Sequence, residues 1–196
     1  MKQLRRLLGF VRPYRILAVW SLGLLALMVC LDLAIPRLIQ DVIDHGILAG
    51  DMGVVLRTTA IMLGISALGT LSAIGNNVFS VRVGEGVARD LREALFVRIQ
   101  SYSFGDMDRQ KTGQLLVRLT SDVSAIKMLL QISLRIGTRA PLMLLGSLLL
   151  MISTSRSLAL AMAPLLLVTS ALIVFFVLRM EPLYRTVQSK LDVLNT

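Results

Sequence analysis

The chain has 196 residues, of which 55% are hydrophobic and 17% are charged, and its formal net charge is +9. The apolar fraction exceeds the roughly 45–50% typical of soluble globular domains, which argues against an ordinary soluble enzyme or binding domain. The positive charge is compatible with nucleic acid or with an anionic membrane surface as a partner. The placement of the basic residues along the chain distinguishes these two alternatives. The single cysteine, Cys30, allows no intrachain disulfide.

Residues 2–12 alternate apolar and basic side chains ahead of Pro13. The apolar members are Leu4, Leu7, Leu8 and Val11, and the basic ones include Arg5, Arg6 and Arg12. This pattern predicts an amphipathic helix that lies in the cytoplasmic interface of a membrane and ends at the proline. A disordered basic tail is the alternative.

Four apolar segments reach the length needed to cross a bilayer. They are residues 16–35, 60–79, 136–152 and 158–178. About 20 helical residues cross a ~30 Å hydrocarbon core, and about 17 is the usual lower limit. The first segment is too long for the apolar part of a signal peptide, so we expect it to remain in the membrane. The sequence predicts an all-α, polytopic membrane bundle over residues 1–196.

Lys and Arg residues are concentrated before the first segment, between the second and third, and after the fourth. The other two loops are acidic or nearly uncharged. Because basic loops stay in the cytoplasm, this pattern predicts a multi-pass protein of the cell (inner or plasma) membrane with both ends in the cytoplasm. The basic residues are also mixed with acidic ones and lack an aromatic platform, so nucleic acid is not an expected partner.

Residues 81–135 are polar but carry apolar side chains at helical spacing. One stripe is Val83, Val87, Leu91, Leu95 and Ile99, and a second is Leu115, Leu119, Val123, Ile126 and Leu130. Glu85, Arg89 and Glu93 are four residues apart, and we expect them to support one another along one helix. The second and third segments should therefore continue as long cytoplasmic helices that meet at a tip near residues 103–113.

Several short runs in this region carry a family resemblance. They are residues 91–96 (LREALF), Ser103-Phe104, Asp108-Arg109, 112–115 (TGQL) and 118–123 (RLTSDV). Together they resemble the first intracellular loop of type I ABC exporters, the multidrug and lipid exporter-like branch. Residues 35–36 and 43–46 are similar to the outer end of that family's first helix, and residues 158–160 with Pro164 to its fourth.

The resemblance implies a short coupling helix at about residues 104–112 that contacts a nucleotide-binding domain. The contact residues it implies are Phe104, Asp106, Met107, Asp108, Arg109, Thr112 and Gly113. On the residues alone, this stretch could equally be a solvated turn that closes a helical hairpin.

ATP and Mg²⁺ are implied for the complete transporter only, and no cofactor or metal is expected in this chain. The sequence contains no G-x-x-x-x-G-K-[ST] phosphate loop. The membrane domain of the family has six spans, so we expect this chain to be the first four-helix part of one, without a nucleotide-binding domain.

By resemblance, the function is that of a permease in an ATP-driven exporter of amphipathic, lipid or drug-like substrates, paired with a second transmembrane half as a homodimer or heterodimer. The chain carries no catalytic residue of its own, although complete family members hydrolyse ATP. The alternative is a stand-alone four-span membrane scaffold or regulator whose cytoplasmic hairpin binds another partner. An intramembrane enzyme is disfavoured because the H-E-x-x-H and G-x-S-x-G motifs are absent.

Polar residues inside the apolar segments are the remaining candidates for function. Asp32 lies near the outer end of the first segment, and Asn76 and Asn77 lie near the inner end of the second. Each could line a transport pathway or form a hydrogen bond between helices. We expect Arg139, near the inner end of the third segment, to extend its guanidinium towards the cytoplasmic headgroups.

Overall fold

The computed structural model describes residues 9–102 and 112–194, with side chains placed for residues 9–102 and 115–180. These parts of the chain are helical apart from short turns. The predicted amphipathic segment therefore lies largely outside the described residues, as does the tip at residues 103–111.

The first helix, α1, is Arg15–Asp41, preceded by a 3-10 turn at Arg12–Tyr14 and extended by a π-helical turn at Val42–Ile47. It runs beyond the predicted end at residue 35, and Pro36 lies inside it. A proline inside a helix removes the hydrogen bond to the carbonyl four residues earlier and crowds that carbonyl with its ring, and membrane helices tolerate this because neighbouring groups satisfy the freed carbonyl. The α-helix therefore continues for more than one turn past the proline, to Asp41, before the π-helical turn begins.

The second helix, α2, is Met52–Gln100 and has 49 residues. Asp51 caps its first turn, because its Oδ1 accepts hydrogen bonds from the backbone N–H groups of Gly53 at 2.8 Å and Val54 at 3.2 Å. At 1.5 Å per residue the helix is ~74 Å long, more than twice the ~30 Å of a hydrocarbon core. The predicted continuation of the second segment as a long helix is confirmed.

The third stretch of helix is built from three α-helical pieces in line, α3 (Thr112–Val117), α4 (Val123–Ile132) and α5 (Thr138–Thr154). Two π-helical turns, Arg118–Asp122 and Ser133–Gly137, join them. The last helix, α6, is Arg156–Leu194. Within the described parts of the chain, four helices are long and apolar enough to cross a membrane, in agreement with the four predicted segments. They are Gly9–Ile47, Met52–Gln100, Leu115–Thr154 and Arg156–Met180.

The two apolar stripes of residues 81–135 pack against each other. Val87, Ala88, Leu91 and Val123 form a buried hydrophobic cluster. Partly buried side chains surround it, and these are Phe10, Val11, Tyr14, Leu95, Ile126 and Leu130. The extension of α2 beyond the predicted membrane segment thus has a packed core of its own, which it shares with α4 and with the residues that precede α1.

The chain divides into two compact units, Met1–Gly146 and Ser147–Thr196. The second unit is the end of α5 followed by α6. Most large apolar side chains of α6 up to Met180 are exposed, including Leu167, Ile173 and Val177. Within this unit, a groove of about 390 Å³ is lined mainly by apolar side chains such as Leu148, Met151 and Leu166.

Candidate functional site

The structure places both helices that flank the predicted coupling tip but not the tip itself. Phe104, Asp106, Met107, Asp108 and Arg109 lie outside the described residues. Thr112 and Gly113 form the start of α3, of which the backbone alone is described there. The expected contact residues therefore remain a prediction.

The two helices that lead to the tip run antiparallel and are tied together along their length. Lys127 Nζ lies 2.9 Å from Glu85 Oε1, and nearer the tip Arg92 Nε donates to the Leu119 carbonyl at 3.4 Å. A Cβ on Gly84 would come within 2.8 Å of Gln131 Nε2, which shows how closely the Gln131 side chain packs against the α2 backbone.

The predicted support among Glu85, Arg89 and Glu93 along one helix is wrong for the first two residues. Glu85 pairs with Lys127 of α4, and Arg89 lies next to Asp90. The sequence spacing favoured contacts within one helix because the partner helix is more than 40 positions away in the chain. The Glu85–Lys127 pair instead stabilises the association of α2 with α4.

Asn76 joins three helical segments at the end of the α2–α4 pair that is farther from the tip. It is buried, and its Nδ2 donates to the Ser21 carbonyl at 2.8 Å, the Ser21 Oγ at 2.9 Å and the Leu134 carbonyl at 3.4 Å. Leu134 lies in the π-helical turn Ser133–Gly137. Asn76 therefore forms the hydrogen bonds between helices that the sequence left as one of two options.

Asp32 and Arg139 form an ion pair between α1 and α5. Arg139 Nη2 lies 3.1 Å from Asp32 Oδ2, and the two side chains are 44% and 34% exposed. The guanidinium of Arg139, which we expected to extend towards the cytoplasmic headgroups, is paired with the Asp32 carboxylate of α1. Pairing offsets the high cost of two single charges inside a bilayer.

A small polar cavity lies where α1, α2 and the third helix meet. It has a volume of about 140 Å³, and its lining is Leu25, Met28, Ala73, Asn76, Asn77, Arg135, Ile136 and Arg139. The exposed Asn77 contributes to this lining beside the buried Asn76. The structure thus brings both predicted asparagines together with Arg139, the ion-pair partner of Asp32. Asn77, Arg135 and Arg139 supply polar groups to this cavity, whereas the Nδ2 group of Asn76 is already bonded to Ser21 and Leu134.

A second polar cluster lies at the start of α1 and was not predicted from the sequence. The Tyr14 hydroxyl donates to the Asp90 carboxylate, with distances of 3.1 Å to Oδ1 and 3.0 Å to Oδ2. Arg89 Nη2 donates to the same hydroxyl at 3.2 Å. The hydrogen bond with Tyr14 and the nearby Asp90 carboxylate raise the pKa of Arg89 above its ordinary value.

The sequence signal for this cluster was weak. Tyr14 follows a proline and lies 76 positions before Asp90, so no local spacing connects the two.

Among the residues that the structure describes, no three His, Cys, Asp or Glu side chains come together in a way that could hold a metal ion.

The sequence is similar to known membrane transport proteins. The profile of the ABC transporter transmembrane region matches residues 19–196. An uncharacterized ABC transporter ATP-binding protein of Bacillus subtilis, YfiB, is 32% identical over 98% of this chain and 34% of its own length. An ATP-dependent lipid A-core flippase of Alkalilimnicola ehrlichii is 30% identical over 62% of the chain and 21% of its own length.

A multidrug resistance ABC transporter ATP-binding and permease protein of Lactococcus lactis is 28% identical over 67% of the chain and 22% of its own length. The chain therefore spans about a third or less of the length of these curated relatives.

Proposed function

The chain belongs to the family of ABC transporter transmembrane regions, and on that premise we propose that it is the permease part of an exporter that moves amphipathic substrates outwards by alternating access. ATP hydrolysis in a nucleotide-binding domain would supply the energy. The relatives named as a lipid A-core flippase and a multidrug resistance transporter support lipid or drug-like molecules as the substrate class.

The observation that carries this proposal is the pair of long helices leading away from the predicted membrane segments. The α2 extension ends at Gln100, and the third helix returns from Thr112. Their packed core and the Lys127–Glu85 ion pair make them a braced hairpin. A connection between two spans needs only a few residues, whereas a mechanical link to a domain outside the bilayer needs rigid helices of this length.

The tip of this hairpin is the proposed docking site for the nucleotide-binding domain. Its proposed contact residues are Phe104, Asp106, Met107, Asp108, Arg109, Thr112 and Gly113. The carboxylates and the guanidinium among them offer charged acceptors and donors to a partner surface. Closure of two nucleotide-binding domains would then move the tip, and the hairpin would carry that movement to the spans.

The polar cavity beside Asn76 and Asn77 is the proposed part of the transport pathway, with the Asp32–Arg139 pair at its border. Its apolar lining, Leu25, Met28 and Ile136, suits the hydrocarbon part of an amphipathic molecule, while the amide and guanidinium groups suit its polar part. A second transmembrane half, identical or related, would close the pathway on the other side.

The charge distribution along the chain supports a protein of the cell membrane with both ends in the cytoplasm. In that arrangement the hairpin at residues 81–135 and the nucleotide-binding domain share one compartment. The turn between α1 and α2, which includes Leu48, would lie on the outer face.

Cysteine crosslinking tests the docking site. Cys30 is replaced by serine, single cysteines are placed at Asp106 or Arg109, and the protein is co-expressed with the nucleotide-binding domain that serves it. We expect crosslinks that depend on the nucleotide state. The control is a cysteine at the exposed Leu48, which should not crosslink. Failure of both tip positions in every nucleotide state would instead favour a scaffold whose hairpin binds some other partner.

A further inference from the structure

The residues that precede α1 pack against the α2 extension and lead directly into the first predicted membrane segment. We define the entry segment as residues 9–14 and the α2 extension as residues 81–100. Phe10, Val11 and Tyr14 of the entry segment pack against the buried cluster that contains Val87 and Leu91. Among the described residues, this is the cluster in which apolar side chains from three separate parts of the chain share one core.

Tyr14 fits the surface of the α2 extension at a glycine. A Cβ added at Gly86 would lie 2.5 Å from Tyr14 Cζ and 2.9 Å from its Oη. Real Cβ atoms do not approach other atoms so closely, and an aromatic ring cannot bend away as the end of a flexible side chain can. The ring therefore occupies space that only glycine leaves open at this position.

The hydroxyl of Tyr14 fixes the ring in a second way. It donates to Asp90 and accepts from Arg89, so its hydrogen-bonding capacity is used on two adjacent residues of the α2 extension. Asp90 is 26% exposed and also lies 3.5 Å from Arg89 Nε. A hydrogen bond to a carboxylate is stronger than one between neutral groups, so the hydroxyl adds to the hold that the ring contact gives Tyr14 on the α2 extension.

From these contacts we propose that Tyr14 is a positioning residue that couples the α2 extension to the first span. Movement that reaches the α2 extension from the tip passes along α2 into the second span by continuity of the helix. The Tyr14 contact with Gly86, Arg89 and Asp90 would pass the same movement to α1. The first two spans then move together, although α1 has no helical continuity with the tip.

This inference rests on the proposed function, because it assigns a role in transmission between the tip and the spans. Its specific content is the hydroxyl of one tyrosine. Tyr14→Phe keeps the ring over Gly86 and removes only the hydrogen bonds. Thr70→Val is the matched control, since it also removes a hydroxyl, in the same long helix, from an exposed residue whose hydrogen bond to Ser66 stays within that helix.

The test measures the distance between α1 and the α2 extension in the complete transporter, reconstituted with its nucleotide-binding domain. Spin labels at the exposed Val19 and Val97, in a Cys30→Ser background, report this distance by pulsed electron resonance without nucleotide and with ATP and vanadate. We expect a narrow distribution for the parent protein and for Thr70→Val. Tyr14→Phe should broaden it about twofold, while ATP hydrolysis without substrate stays within about twofold of the parent rate.

Changes at Asp90 separate the hydrogen bond from general loss of stability. Asp90→Ala should broaden the distribution as Tyr14→Phe does, and the double variant should broaden it by less than the sum of the two effects, because both substitutions remove the Tyr14–Asp90 hydrogen bond. Asp90→Asn keeps an acceptor for the hydroxyl and should be intermediate, and it serves as the milder variant if Asp90→Ala does not fold.

A distribution in Tyr14→Phe as narrow as that of the parent would overturn the proposal. Equal broadening in Thr70→Val, or simple addition in the double variant, would also do so. A parent protein that shows no ATP-dependent shift would count against the exporter mechanism, and the comparison of widths would still test the contact itself.

Discussion

Asp32 and Arg139 carry opposite charges in helices long and apolar enough to cross a membrane. A single charge at the centre of a bilayer costs roughly 2.5–3.5 kcal/mol on insertion scales, and a partner within hydrogen-bonding distance reduces that cost. The side chain of Arg139 pairs with the Asp32 carboxylate of α1. Neither residue is near the other in the sequence, so the hydropathy pattern could identify each charge but not the pair.

Because Asp32 and Arg139 form an ion pair, the effect on stability of removing one charge should depend on whether the other is present. Arg139→Gln leaves Asp32 without its partner and should destabilise the folded protein by about 1–2 kcal/mol, less than a fully buried pair because both side chains are partly exposed. Asp32→Asn combined with Arg139→Gln should recover most of this loss. Thermal unfolding in detergent, followed by size-exclusion chromatography, measures the difference. A double variant less stable than Arg139→Gln would contradict the pairing.

The two adjacent asparagines differ in their surroundings, and their variants should differ too. Asn76 is buried and donates to Ser21 and Leu134, so Asn76→Ala should lower stability by about 1–2 kcal/mol. Asn77 is exposed, and Asn77→Ala should change stability by less than about 0.5 kcal/mol. Unfolding midpoints of the two variants, measured side by side, provide the check. Similar losses in both would show that Asn76 is not the residue that joins the helices.

At the scale of helices, the sequence predicted what depends on local periodicity. The apolar stripes through Val83, Val87 and Leu91, and through Leu115 and Val123, are buried as expected. Helices α1 and α2 are longer than the apolar segments because hydropathy marks the part that lipid requires, whereas a helix continues until its backbone meets a terminating residue. The Tyr14–Asp90 contact joins residues 76 positions apart in the chain, so periodicity could not reveal it.

The close approach of Tyr14 to α2 predicts an effect of side-chain size at Gly86. Gly86→Ala would insert a methyl group against the tyrosine ring, and overpacking of this kind costs about 1–3 kcal/mol. Gly64→Ala, in the same helix, has no atom within 4 Å of the added carbon and should be neutral or slightly stabilising because alanine favours helix. The two unfolding midpoints should therefore move in opposite directions or differ clearly. A Gly86→Ala midpoint equal to that of Gly64→Ala would refute the close packing.

The rigidity of the α2 extension can be tested at an exposed position. Glu93 lies in the middle of the extension with an exposed side chain, so Glu93→Pro acts on the backbone, where proline costs about 3 kcal/mol or more. We expect transport of a fluorescent amphipathic dye into inside-out vesicles to be lost while the protein remains in the membrane. Glu93→Ala should transport at close to the parent rate. Retained transport in Glu93→Pro would show that a continuous helix is not required.

For the whole molecule, composition and hydropathy were sufficient to predict an all-α bundle with four spans, and the described helices confirm this number. The resemblance of short runs around residues 91–123 identified the family, which the match over residues 19–196 confirms. The predicted orientation in the membrane rests on the distribution of the basic residues between the loops.

Labelling from outside the cell tests that orientation. In a Cys30→Ser background, a cysteine at Leu48 should react with a maleimide that does not cross membranes, because the turn between α1 and α2 is predicted to face outwards. A cysteine at Lys111 should react only after the membrane is permeabilised. Reaction of Lys111→Cys in intact cells would reverse the topology and remove the basis for a cytoplasmic docking site.

The length of α2 has a geometric consequence. Its residues 81–100 form an arm of ~30 Å, so a tilt of ~10° at the base would displace the far end by ~5 Å, and the same relation holds in reverse. A displacement of less than a nanometre by a domain attached at the far end would thus rotate the helix by a modest angle where it enters the membrane. A longer arm would need a larger displacement of its far end for the same rotation at its base. In the proposed transporter, the length of this helix would therefore set how far the nucleotide-binding domain must move to rotate the spans by a given angle.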